Sequence, residues 1–435
     1  MGSASCRVIM YRLVFAMVVV LLVYGCCRVQ SEMKDKVMPS GREQVLRAVK
    51  PTSGTFTLLG RSGVLSTMIS SSTFNPLKPL KGLDRKGSHG GTPFDMVLGD
   101  GTKVGGLFFE YNDGNADPKP LIIASFGFLQ DRWGTEAAKF YNLYIKDPAQ
   151  RIPAHVLILD HPSAGPFLAC NACLSMGSYD DARMWIEIAL HLKNTMELSG
   201  IHVFGVSMSG QSVVHALIED KRLGLGLFNS GMVFSIAPDF QKAPGKQLAQ
   251  LKTPEGIANP WTDYFGQIPE MTLLERIQNT ALWMLMKKQF IPGYNFVRSS
   301  DIEFTLNRIY LAVFFRKAFE YRIAFLREHA GDSWNHEEIS LADLDAFMAS
   351  TRIAGVIDRV DVPLVLVSAY DDPAVKREMF AEVRSAAQGN PWVVAFETDN
   401  GGHFGFNAAY GKDYIGDIVR LMLNRQVIDT WVSHN

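Results

Sequence analysis

The chain has 435 residues, 47% of them apolar and 20% charged, an ordinary globular make-up with enough apolar material for a sizeable core. Its 43 lysines and arginines nearly balance 44 aspartates and glutamates, giving a formal net charge of −1. No long run of one sign occurs, so the electrostatic footprint of a nucleic-acid partner is missing and that class is set aside.

The N-terminus departs from this average. Arg7 and Arg12 precede an uncharged apolar run over 13–27, followed by polar and charged residues. Fifteen residues are short of the ~20 that cross a hydrocarbon core as a helix. The run therefore fits a cleaved signal or lipoprotein signal, or an uncleaved anchor if flanking residues extend it. Either way, residues 1–27 are expected to export the chain or associate it with a membrane, leaving the globular part extracytoplasmic.

Residues 28–89 are rich in Ser, Gly and Pro and weakly periodic, and over 32–85 they read as a tether with little committed structure. From residue 93 the pattern changes. Apolar runs at 94–98 and 104–111, joined through Gly99-Asp100-Gly101, read as a hairpin at a sheet edge. Strands are then expected at 121–125, 156–160, 201–206 and 232–236. Helices are expected between them at 137–145, 179–198 and 209–219. Buried apolar strands separated by helices imply parallel strands covered on both faces, which is an α/β, doubly wound, mostly parallel sheet.

From residue 237 the alternation stops and long helical patterns take over, notably 272–288 and 302–329, the latter apolar on more than one face. It returns with strands at 362–368 and 392–397 and helices at 375–387 and 410–424. The reading is a core at 90–236 and 350–435, with 237–349 inserted as a helical cap that also suits an acyl-binding pocket.

Chemistry concentrates at three strand ends. In Gly205-Val206-Ser207-Met208-Ser209-Gly210, a β-branched strand breaks at small residues and resumes as a helix, so Ser207 stands on a sharp corner. The pattern is G-x-S-x-G with Ser209 in place of the last glycine; a helix N-cap after a buried strand is the bland alternative. A serine hydroxyl needs a base in hydrogen-bond reach, itself oriented by an acid. Asp371-Asp372-Pro373 follows a strand, and His403 sits in the glycine-rich loop 399–406 after the last one. The chain order Ser207, Asp372, His403 is that of α/β-hydrolase triads. Asp239, after the 232–236 strand, is the reserve acid, while His161 and His215 read as structural. The oxyanion donors are expected to be the amides of Met208 and Phe128, the second from the loop Ser125-Phe126-Gly127-Phe128.

The remaining candidate is Cys170-Asn171-Ala172-Cys173. No second such pair or histidine pair completes four ligands, so no metal is implied, and no cofactor either. In an exported chain the two cysteines suit a local disulfide, and in a cytosolic one two thiols.

Together these stretches resemble the α/β-hydrolase superfamily. The Asn400-Gly401-Gly402-His403-Phe404-Gly405-Phe406 loop, the Asp371-Asp372-Pro373 acid and the Gly177-Ser178-Tyr179 entry into Asp180-Asp181-Ala182-Arg183 are similar to its membrane-anchored abhydrolase-domain esterases and phospholipases. The resemblance covers the core. It implies Asp372 as the acid, with Asp371 as a cap or a supporting group. The expected function is a serine hydrolase of carboxylic esters, acting on a small-molecule ester or a lipid. An acyltransferase or thioesterase on the same residues, and a non-catalytic member of the fold, are the alternatives.

Overall fold

The computed structural model describes residues 39–51, 90–127, 130–162, 164–171, 179–236, 352–372, 375, 377–411 and 413–433. The expected signal or anchor, most of the 28–89 extension, the 237–349 cap, Asp239 and Cys173 lie outside the described residues. Among those described, no helix is long and apolar enough to cross a membrane.

Eight strands form one sheet: β1 (Thr92–Val97), β2 (Lys103–Phe109), β3 (Lys119–Ser125), β4 (His155–Leu159), β5 (Leu198–Val206), β6 (Phe228–Phe234), β7 (Leu364–Ala369) and β8 (Val393–Thr398). Their spatial order is β1-β2-β4-β3-β5-β6-β7-β8. β1 and β2 form the expected antiparallel edge hairpin, closed by Leu98 N–H donating to Thr102 O at 2.8 Å, with Gly101 at φ +88°. β2 meets β4 antiparallel, and every pairing from β4 to β8 is parallel.

The helices are α1 (Gly41–Val49), α2 (Thr135–Phe140), α3 (Gly165–Asn171), α4 (Tyr179–Thr195), α5 (Met208–Leu223), α6 (Arg377–Ala387), α7 (Phe406–Tyr410), α8 (Tyr414–Leu423) and α9 (Arg425–Val432). A π-helical turn, Tyr141–Lys146, continues α2. They cover both faces, and the strands show it. Leu121 and Ile123 of β3 point into a core with Trp185, Val213 and Phe380, while Ile122 and Ala124 point into a second core with Phe140, Ile418 and Trp431. Side chains alternate across a strand, so a strand buried on both sides must be apolar throughout.

Several elements depart from the sequence reading: α3 and α9 were not expected, and two others bear on the argument. Residues 41–49, expected to lie within an unstructured extension, form α1, capped by the Ser40 hydroxyl accepting from Glu43 N–H at 3.2 Å. Its Val45 and Val49 are fully buried in the second core, Gly41 lies against the Val427 carbonyl with no room for a Cβ, and Tyr414 OH donates to Val49 O at 2.7 Å. The closing helix expected over 410–424 starts only at Tyr414, as α8; Gly411, at φ +105°, ends the short α7 before it.

The strand order fixes where a site can form. From β3 the chain steps outward to β4, then crosses back so that β5 lies on the other side of β3. The loops leaving the carboxyl ends of β3 and β5 therefore diverge and open a crevice between them, the place where open α/β sheets bind ligands.

Candidate active site

Ser207 follows β5 at that crevice, with φ 56° and ψ −120°, a conformation that L-residues rarely adopt. It is held by main-chain bonds on both sides: Ser207 N–H donates to Phe234 O and Gly210 N–H to Ser207 O, both at 3.0 Å. The turn is tight enough to dictate its neighbours. A Cβ on Gly205 would lie 2.6 Å from the Ser209 carbonyl oxygen, and one on Gly210 would lie 2.5 Å from Val233 Cγ1. Ser209, where a glycine is usual, is accommodated because Gly210 makes the close approach to β6.

The hydroxyl of Ser209 has work of its own. It accepts from Gly127 N–H at 2.9 Å and donates to Ser125 Oγ at 2.7 Å, tying the loop after β3 to the elbow. Gly127 adopts φ +89°, and a Cβ there would lie 2.9 Å from Ser207 Cβ and 3.4 Å from the Met208 nitrogen. The Met208 amide, expected as an oxyanion donor, is thus beside Ser207 at the head of α5; Phe128, expected to supply the other, lies outside the described residues. Further along, Arg132 anchors this loop to the β2–β4 edge. It donates to the buried carboxylate of Asp160 from Nη2 at 2.6 Å and Nε at 2.9 Å, and to Gly106 O from Nη1 at 2.7 Å.

Asp372 and His403 come together at the same rim. His403 Nδ1 lies 3.0 Å and 3.1 Å from the two carboxylate oxygens of Asp372, which is fully buried while the imidazole is partly exposed. Asp372 is set by its N–H donating to Ala369 O at 3.1 Å, and Val375 N–H donates to its Oδ1 at 3.2 Å. The local turn contact therefore falls to Asp372. Asp371 instead accepts from Gly402 N–H at 2.8 Å, holding the histidine loop against the β7 turn. The loop continues into Phe404, whose ring packs on Phe126, Phe204 and Phe234.

Burial pushes the His403 imidazole down, but the attraction of the Asp372 carboxylate, the hydrogen bond to it and the Glu136 carboxylate outweigh that, and its pKa stands above the ordinary value. Glu136 was not singled out in the sequence. It lies on α2, one turn before the buried Phe140, and burial raises its own pKa despite the pull of Lys139. His161 and His215 are both buried, His161 in the turn after β4 and His215 within α5. Cys170 carries an exposed free thiol, and among the described residues no group of His, Cys, Asp and Glu could hold a metal ion.

The strand order, the strained serine between β5 and α5, and an acid and a histidine after β7 and β8 define an α/β-hydrolase fold. No protein-family model matches the chain, and no curated protein matches it. Solved structures similar to it include an esterase of Pyrococcus furiosus, with 14% identity, a TM-score of 0.44 and coverage of 78% of this chain and 92% of that one. A 2,6-dihydroxy-pseudo-oxynicotine hydrolase has 12% identity, a TM-score of 0.44 and coverage of 77% and 69%. A membrane phospholipase A described as a bacterial virulence factor has 14% identity, a TM-score of 0.42 and coverage of 83% and 96%. These are likenesses of architecture, and the fold assignment stands on the strand order itself.

Proposed function

We propose that this protein is a serine hydrolase that cleaves carboxylic esters through Ser207, His403 and Asp372. The reading is carried by the contact of His403 Nδ1 with the buried Asp372 carboxylate at 3.0 Å, on the rim that also bears the strained Ser207 turn. With Nδ1 directed at the carboxylate, the proton chemistry falls to Nε2. His403 takes the hydroxyl proton as Ser207 Oγ attacks the carbonyl carbon, and the carbonyl electron pair becomes an oxyanion. The Met208 amide, and the Phe128 amide from the loop that Ser209 secures, donate to that oxyanion. When the intermediate collapses, His403 returns the proton to the departing alcohol and an acyl-enzyme remains. Water then repeats the sequence, its proton passing through His403, to release the acid and restore Ser207.

The apolar helical pattern of 302–329 favours an acyl or lipid-like substrate, and the 13–27 run favours a chain exported or held at a membrane, with its globular part extracytoplasmic. The test is a panel of p-nitrophenyl esters of graded acyl length, with fluorophosphonate labelling, on wild type and Ser207→Ala. Wild type should turn over and label, and Ser207→Ala should do neither. Labelling that survives the substitution, or a folded wild type that never labels, refutes the assignment.

A further inference from the structure

Three non-glycine residues among those described adopt a positive φ, and all three stand at the carboxyl rim of the sheet: Ser207 at 56°, Ser235 at 50° and Phe404 at 62°. The elbow accounts for Ser207. The other two are bonded to each other, with Phe404 N–H donating to Ser235 Oγ at 2.9 Å across 169 residues of sequence.

Ser235 comes directly after β6, so it lies between the strand end that carries Ser207 and the one that carries Asp372. It is fully buried, and its own N–H donates to Val367 O at 2.8 Å, which fixes its main chain to β7. A glycine takes this conformation without strain, whereas a serine does not. What serine adds is a hydroxyl, and that hydroxyl holds the residue that follows His403.

We propose that Ser235 is a positioning residue for His403: by accepting the Phe404 amide its hydroxyl fixes the loop from the β6 side and sets the aim of the imidazole. Two side chains then grip the loop on either flank of the histidine, Asp371 through the Gly402 amide and Ser235 through the Phe404 amide. The assignment rests on the reading of Ser207, Asp372 and His403 as the catalytic group.

Ser235→Gly separates the hydroxyl from the backbone, since it deletes the acceptor at a φ that glycine prefers. With p-nitrophenyl esters, kcat should fall on the order of tenfold or more while KM changes by less than about twofold, because the geometry of the proton transfer is disturbed and not the binding of substrate. The melting temperature should hold or rise, and the downfield NMR resonance of the His403 Nδ1 proton should weaken or broaden. Ser235→Ala should show the same fall in kcat. A kcat within about twofold of wild type in folded Ser235→Gly overturns the proposal. So does failure of that variant to fold, which would give the hydroxyl a purely structural role. Turnover surviving in a parallel Ser207→Ala sample would instead overturn the catalytic reading beneath it.

Discussion

Replacing Asp372 by Asn keeps the shape of the side chain and removes its charge, which isolates the contribution of the carboxylate to the imidazolium that forms as Ser207 is acylated. The imidazole nitrogen lies 3.0 Å from the nearer oxygen, and the carboxylate is fully buried. At an effective dielectric of ~20, opposite unit charges about 4 Å apart attract by about 4 kcal/mol, and each 1.36 kcal/mol is a factor of ten. Asp372→Asn should therefore lower kcat by about three orders of magnitude with little change in KM. The pH profile gives a second readout. Asp372 holds the His403 pKa above its ordinary value, with Glu136 adding to it, so the charged imidazole is favoured and the base becomes available only as pH rises through that raised value. In Asp372→Asn the acid limb of kcat/KM should move to lower pH. Steady-state hydrolysis from pH 5 to 9 reads both effects. A loss of less than about tenfold, or an unmoved limb, refutes the argument that this carboxylate stabilises a charged His403.

Two further expectations concern stability. His202, buried in β5, has its pKa pushed down to about 4 by desolvation. Its Nδ1 lies 2.7 Å from Ser230 Oγ, which itself donates to Met422 O, so the imidazole is held neutral as a donor. The unfolded chain binds this proton near 6.5 and the folded one near 4, so stability is intact above pH 6.5 and drains away as pH falls toward 4. The gap is worth about 3 kcal/mol. His202→Asn keeps a donor without a titrating ring, so urea unfolding at pH 7, 5.5 and 4.5 should show the variant losing about 2 kcal/mol less than wild type across that range; equal losses would contradict the assignment. Removal of residues 1–50 takes away α1. Two fully buried valines at ~1.5–3 kcal/mol each contribute about 3–6 kcal/mol of the cost, and an unchanged urea midpoint would show that the helix does not stabilise the core.

The elements most readable from the sequence were those whose composition answers to burial on two sides. The inner strands β4, β5 and β7 carry continuous buried apolar runs, and helical patterns between them along the chain gave a parallel sheet. Ser207, Asp372 and His403 could be proposed as a set because each follows a strand, and the last two are in contact. Asp371 proved to support the histidine loop through Gly402. What escaped notice depends on contacts between distant segments. In α1 only Val45, Leu46, Ala48 and Val49 are apolar, too little to stand out within an extension rich in Ser and Gly, and its burial comes from α8 and α9 some 370 residues later. Ser235 carries no motif, since its bond to Phe404 spans 169 residues. The late start of α8 was hidden because Tyr410 lies at helical spacing from Tyr414 and Ile418, so the pattern runs through the turn at Gly411.

The elbow also says what its glycines are for. Clearance, and not residue identity, is the quantity under constraint: Gly205 yields to a carbonyl, Gly210 yields to a valine on the neighbouring strand, and the buried Ser209 side chain stands between them. The demand for room falls on Gly210, which leaves Ser209 to tether a loop. A signature spelled in letters would pass over this chain, whereas one written as permitted distances around the nucleophile would find it.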